Sequence, residues 1–271
     1  MAIDPYLAAC VQLRSTEDVR ANLDRAEAWI ARAAGYGAKL VATPENTPFL
    51  GDPGAKLAAA ASDDGTTNRR FAKLARDLGI HVLVGSVAEA IDASRCTNTS
   101  ILFGPDGLVA AYRKLHLFDV DIPGGPRFRE SAHVVAGDQV VVADTPLGRI
   151  GLTICYDVRF PELYAACVAQ GAQILTVPSA FTFPTGQAHW HPLLRARAIE
   201  TQCFVLAPAQ EGRHDLAGAR HSYGHSLIVD PWGVVLADAA DGEGLALAEI
   251  DLARVEAARN AIPVGIHRRR W

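Results

Sequence analysis

What most constrains the fold of this chain is an alternation that recurs along it: an apolar run of strand length, a helical pattern, then another apolar run. "YLAACVQL" precedes "TEDVRANLDRAEAWIARAAGYG", which carries Gly37 at its end and leads into "KLVATPE". "TNRRFAKLARDLG" leads into "IHVLVGSVAEA", "RFPELYAACVAQG" into "AQILTVPSA", and "HPLLRARAIETQ" into "CFVLAPAQ". Strand, helix and strand in series predict parallel neighbours joined by a crossover. Three other stretches, "TSILFGPDGLVAAYRK", "VVVADTPLGRIGLTIC" and "SLIVDPWGVVLADA", set Pro and Gly between two strand-like runs and predict hairpins. This mixture predicts an α/β fold with two sheets packed face to face and helices covering the outsides.

The 271 residues are 49% hydrophobic, enough for one sizeable core. No linker, repeat or low-complexity segment divides them, so a single domain over 1–271 is expected. The net charge is -4 with both signs intermixed, which excludes the basic footprint of a nucleic-acid binder. "HRRRW" at 267–271 is the one basic cluster, read as a solvated or subunit-packing tail. No apolar stretch approaches the roughly 18 residues of a membrane span. The start, "MAIDPYLAACVQL", has an early Asp and no basic region, so it reads as a first strand and not as a signal peptide. The five cysteines (Cys10, Cys96, Cys155, Cys167 and Cys203) are scattered and mostly lie in apolar runs. That predicts reduced thiols in a cytoplasmic protein, with no disulfide framework.

The stretch "GLTICYDVRFPEL" (151–163) ends an apolar run on Cys155, with Pro161 and Glu162 opening the next helical pattern. A thiol at such an elbow is expected near the positive end of a helix, where thiolate is favoured; the plainer reading is a small buried hydrophobe. A nucleophile also needs a base and a group to hold the developing oxyanion. None of the nine histidines is singled out as that base. His189 and His191, and likewise His221 and His225, could be ligand pairs. However, there is no Cys-x-x-Cys, no His-Glu-x-x-His and no third ligand evident from spacing, so neither metal nor cofactor is expected. Charged residues at the ends of apolar runs are better candidates. Glu45 ends "KLVATPE" directly after Pro44, and Lys114 follows "LVAAYR" just before the Gly/Pro-rich segment 119–131. Taken singly, Glu45 could cap a loop and Lys114 could be a surface lysine.

Together, the contexts of Glu45, Lys114 and Cys155 resemble the three signatures of the nitrilase, or carbon–nitrogen hydrolase, superfamily, "CYDVRFPEL" being the most specific. The similarity continues in order through "YRKLHLFDVDIP", "FRES", "PSAFT", "GQAHWHPLLRARAIETQ" and "YGHSLIVDPWG", nearly the whole chain. One departure is the Ala-Thr pair before Pro44, where related enzymes carry a more apolar pair, so packing behind Glu45 is expected to differ.

The resemblance implies a four-layer α-β-β-α sandwich and a thiol amidase. Glu45 would be general base, Cys155 nucleophile, and Lys114 with the backbone N–H of Tyr156 the oxyanion donors. Lys114 would also favour ionised Cys155 and Glu45. Glu130, in "FRES", matches a second glutamate that would orient Lys114 or the substrate amide.

The segments "LRARAIETQCFV" and "EGRHDLAGARHSYGHS" are most similar to the branch that hydrolyses the terminal amide of deaminated glutathione, a metabolite repair reaction releasing ammonia and a 2-oxoglutarate-containing product. The omega-amidase branch, acting on 2-oxoglutaramate and 2-oxosuccinamate, shares the triad and is the alternative. A non-catalytic scaffold or redox-sensing thiol protein is a third, disfavoured because it has no need of costly buried charges. For a small anionic amide attacked with water, Arg159 is the candidate carboxylate clamp. Phe181 and Thr182 would line the acyl pocket, and Arg213, Arg220 and Tyr223 would meet the distal part. The arginines could equally make surface or interface salt bridges. The remaining cysteines are expected to be core or surface thiols, and the assembly a homodimer.

Overall fold

The computed structural model describes residues 3–121, 127–214 and 220–269, and its elements follow the alternation. The first half runs β1 (Tyr6–Gln12), α1 (Val19–Gly35), β2 (Ala38–Ala42), α2 (Pro53–Ser62), α3 (Thr66–Leu78), β3 (His81–Ala90), β4 (Cys96–Gly104) and β5 (Gly107–Arg113). A short ribbon, β6 (Asp119–Asp121) with β7 (Arg127–Arg129), follows. The second half runs β8 (Val141–Thr145), β9 (Gly148–Leu152), α4 (Pro161–Ala169), β10 (Ile174–Thr176), α5 (Phe183–Thr201) and β11 (Phe204–Ala207). A second ribbon, β12 (Glu211–Arg213) with β13 (His221–Tyr223), precedes β14 (Leu227–Val229), β15 (Val235–Asp238), β16 (Gly244–Ile250), α6 (Ala253–Ala261) and α7 (Val264–His267).

Two six-stranded sheets result, in the orders β16-β1-β2-β3-β4-β5 and β15-β14-β11-β10-β9-β8. Every predicted crossover joins parallel strands: β1 to β2, β2 to β3, β9 to β10, and β10 to β11. Every predicted hairpin is antiparallel: β4 with β5, β8 with β9, and β14 with β15.

The period-2 geometry of a strand explains the layering. In β1, Ala8 and Cys10 join a core shared with Ile150, Leu152 and Ile174 of the other sheet. The intervening Ala9 and Val11 pack with Leu23, Ile30, Phe71 and Ala75 of α1 and α3. Leu40 and Leu83 face the sheet–sheet core, whereas Val41 and Val82 face the helices. On the other side, Tyr164, Trp190 and Leu194 of α4 and α5 pack against the second sheet. The architecture is therefore the α-β-β-α sandwich. Helix starts are equally local: the Asp18 carboxylate caps α1 by accepting from the Ala21 N–H at 3.0 Å.

Two expectations change in detail. Helix α5 begins at Phe183, well before "HPLLRARAIETQ", and continues through Pro192. Buried Trp190 and Leu194 on either side hold it against the sheet, outweighing the hydrogen bond that proline removes. The segment 119–131 contains the β6–β7 ribbon, with 122–126 outside the described residues. The terminal cluster 267–271 is described only to residue 269, and "EGRHDLAGAR" lacks 215–219. No helix among the described residues is long and apolar enough to cross a membrane.

Candidate active site

Glu45 stands just past the end of β2. The β2 ladder continues into the loop, because the Thr43 N–H donates to the Leu83 carbonyl at 2.9 Å. The neighbouring strand must pass very close here: a Cβ on Gly85 would lie 2.0 Å from the Thr43 carbonyl oxygen. The unusual Thr43 is accounted for, since its hydroxyl accepts from the Gly85 N–H at 3.1 Å and from Thr47 Oγ1 at 2.9 Å. The packing behind Glu45 is thus hydrogen-bonded at Thr43, as the departure before Pro44 led us to expect.

Lys114 follows β5 directly, and its N–H donates to the Asn98 carbonyl at 2.9 Å. Its ammonium donates to Oε1 of Glu45 at 2.9 Å and to Oε1 and Oε2 of Glu130 at 3.1 and 2.9 Å. The Asn98 amide on β4 ties the two carboxylates from behind, donating to Glu45 at 2.9 Å and Glu130 at 3.2 Å. Glu45 Oε2 accepts from the Ala180 N–H at 2.9 Å, and Glu130 Oε2 from the Phe118 N–H at 2.7 Å. Asn98 and Ala180 were not singled out from the sequence. The available signal was "TNTS", four polar residues inside a fully buried strand.

Cys155 takes a left-handed backbone, φ +48°, at the turn after β9, and its N–H donates to the Pro178 carbonyl at 2.9 Å. Helix α4 starts at Pro161, where the sequence places it, and Cys155 opens a one-turn 3-10 segment, Cys155–Arg159, that stands between β9 and the helix. Buried Asp157 holds this elbow. Its carboxylate accepts from the Ile154 N–H at 2.9 Å, the Tyr112 hydroxyl at 2.7 Å and the His116 N–H at 3.1 Å. The turn of the second sheet that carries Cys155 is thereby fastened to the end of β5 that carries Lys114.

The electrostatics define a resting state. Burial raises the Glu45 carboxyl, but the charge and hydrogen bond of Lys114 and the Ala180 N–H outweigh it and hold the group below its ordinary value. Burial lowers Lys114, but two facing carboxylates, Glu130 foremost, drive it well above its usual range. Cys155 goes the other way from expectation. Burial and the Glu45 charge push the thiol well above its ordinary value despite Lys114. The resting site is thiol, carboxylate and ammonium.

Glu45, Lys114, Glu130, Cys155 and Tyr156 all line one cavity of about 370 Å³. Phe181, Thr182 and Arg220 lie on its wall, with Phe118 and Phe128 adding aromatic surface. Lys56, missed in the sequence, also lines it; its ammonium donates to the Asn46 side-chain oxygen at 2.6 Å. The other candidates are set around it. Arg159 packs on two wall residues, its guanidinium 5.9 Å from the Tyr156 ring centroid and 5.3 Å from that of Phe181, and 3.3 Å from Nδ1 of His189. Arg213 pairs in the β12–β13 ribbon opposite His221, and Tyr223 stacks on His225. All five cysteines are buried and free, but Cys96 lines the cavity, so it is not simply a core thiol.

A thiol beside an ionised carboxylate, with an ammonium between two acids, can pass a proton from sulfur and hold an oxyanion at the same point. The chain belongs to the carbon-nitrogen hydrolase family, whose model matches residues 7–260. It is 45% identical to the deaminated glutathione amidase of Synechocystis sp. over 97% of this chain and 98% of that protein. It is 44% identical to the deaminated glutathione amidase of Bos taurus over 98% of this chain and 82% of that one. The crystal structure of the Caenorhabditis elegans NitFhit protein superposes with a TM-score of 0.93 at 43% identity, covering 99% of this chain and 66% of that one.

Proposed function

We propose that this chain is a thiol amidase that hydrolyses the terminal amide of deaminated glutathione to ammonia and the 2-oxoglutarate-containing acid. The observation that carries the chemistry is the ammonium of Lys114 bridging Glu45 and Glu130 in the cavity that Cys155 lines. Glu45 takes the proton of the Cys155 thiol as sulfur bonds to the amide carbon. The carbonyl oxygen becomes an anion held by Lys114 and the Tyr156 N–H. As the C–N bond breaks, Glu45 returns its proton to nitrogen and ammonia leaves a thioester. Glu45 then takes a proton from water, the hydroxide adds to the thioester, and the released thiolate recovers its proton. Glu130 positions Lys114 throughout. Because the thiol is un-ionised at rest, proton transfer accompanies attack and no standing thiolate is needed.

The curated relatives support the substrate, and so do the cations of Lys56 and Arg220 on the cavity wall, since the substrate is anionic and reaches beyond the scissile amide. The same reading treats residues 1–271 as one catalytic domain acting in the cytoplasm as a homodimer. Exposed Ile199, Trp232 and Val234 near one another support a second copy there.

Ammonia release by purified protein on deaminated glutathione against 2-oxoglutaramate tests the proposal, with Cys155→Ala as control. The expected preference for the former is at least about tenfold in kcat/KM, roughly 1.4 kcal/mol of transition-state discrimination. Equal use of both, or preference for the shorter amide, overturns the substrate. Activity surviving in Cys155→Ala overturns the nucleophile.

A further inference from the structure

Away from the catalytic cavity, three elements bring metal-ligating atoms to one point. His191 projects from α5, His225 from the turn between β13 and β14, and Asp238 from the end of β15. Nε2 of His191 lies 2.8 Å from Oδ2 of Asp238, and Nδ1 of His225 lies 3.0 and 3.2 Å from its two oxygens. All three ligand atoms fall within 4.8 Å of one another. The sequence separations, 34 residues and then 13, match no ligand spacing, so the third ligand was invisible before the fold was known.

We propose that His191, His225 and Asp238 form a binding site for a divalent transition ion of the zinc class, separate from the catalytic machinery. Two imidazoles and one carboxylate suit Zn²⁺, leaving a fourth tetrahedral position for water. Bonds of about 2.0–2.1 Å place tetrahedral ligand atoms roughly 3.3 Å apart, so an ion needs both nitrogen–oxygen contacts, now 2.8 and 3.0 Å, to open by a few tenths of an ångström, with the two ring nitrogens within 4.8 Å of each other. The side chains are 31%, 25% and 28% exposed, open enough for entry.

The site is also braced. His225 is held in a left-handed backbone, φ +56°, with its carbonyl accepting from the buried Trp190 indole at 2.8 Å. Its ring stacks on Tyr223 with centroids 4.5 Å apart. Asp238 Oδ1 accepts from the Ala240 N–H at 2.8 Å, so the carboxylate is oriented from a second side. An ion here would tie α5, the β13–β14 turn and β15 together. Ser222 of β13 bridges Thr182 of the cavity wall, so the clamp would sit behind that wall.

Full-length protein is dialysed against Zn²⁺ and the bound metal counted, with cobalt(II) absorption spectra reporting the ligands. One zinc per chain is expected, weakened at least about tenfold in His191→Ala and in Asp238→Asn and unchanged in His267→Ala. The cobalt form should show four-coordinate bands with no sulfur-to-metal charge transfer. Circular dichroism verifies that each variant is folded. Failure of wild-type protein to retain zinc, equal retention in His191→Ala and Asp238→Asn, or a charge-transfer band abolished by Cys155→Ala would each overturn the site, the last by assigning the metal to the nucleophile.

Discussion

The Lys114 ammonium lies 2.9 Å from Oε1 of Glu45, and the two side chains are only 2% and 4% exposed. Removing two charges this far from water is costly unless both are paired and further hydrogen-bonded. Asn98, Ala180 and Glu130 supply those additional partners. The ion pair therefore persists because a whole polar network closes around it.

Replacing Lys114 with Met breaks that balance. It leaves Glu45 and Glu130 facing each other uncompensated, and a stability loss of about 3–5 kcal/mol is expected in denaturant unfolding. Loss of the proposed oxyanion donor should lower kcat a further ~10²–10³-fold. Lys114→Arg should not rescue activity, because a planar fork cannot satisfy carboxylates on opposite sides from a single point. Steady-state ammonia release on the folded fraction checks this.

The pH profile follows from the directions of the three groups. Glu45 is held below its ordinary 4.5, so its contribution to stability is complete above that value and is lost as pH falls through the depressed folded value. Lys114 is raised above 10.5 and Cys155 above 9.0, so their contributions are complete below those values and are lost as pH rises past them. Activity should hold on the acid side to below pH 4.5 or the onset of unfolding. It should show no step upward near pH 9 from thiol ionisation. A kcat/KM profile with a rising limb centred near pH 9 would contradict this assignment.

Asn98→Leu tests the network without touching a proposed catalytic group. Both carboxylates lose a donor, costing about 1–3 kcal/mol of stability. With Lys114 pulled between two under-donated acids, kcat should fall more than KM changes. Asn98→Asp, which adds a third carboxylate, should be worse than Asn98→Leu in thermal unfolding.

Asp157→Ala should loosen the turn that carries Cys155. Two buried donors, the Ile154 N–H and the Tyr112 hydroxyl, lose their acceptor together with the half-buried His116 N–H. A loss of roughly 3 kcal/mol or more is expected, with Asp157→Asn milder because it keeps one acceptor oxygen. Slower alkylation of Cys155 by substrate-like electrophiles in the folded Asp157→Asn variant would report misplacement of sulfur.

The crossovers, the hairpins and the ends at which Glu45, Lys114 and Cys155 stand are legible in local periodicity, turn residues and a few contiguous motifs. "FRES" likewise marks Glu130, and Phe181, Thr182 and Arg220 stand on the cavity wall. That Cys155 rests as a thiol is set by the assembled fold, because the balance of burial against Glu45 and Lys114 depends on distances between three separate strand ends. For the same reason it alone found Asn98, Ala180 and Asp157, whose groups act across the sheets. It set Arg159 over the rings of the wall residues Tyr156 and Phe181, put Arg213 and Tyr223 in the β12–β13 ribbon, and joined Asp238 to two histidines. Short-range pattern fixes what each segment becomes; which charges meet is set by packing two sheets together, and no spacing along the chain encodes that distance.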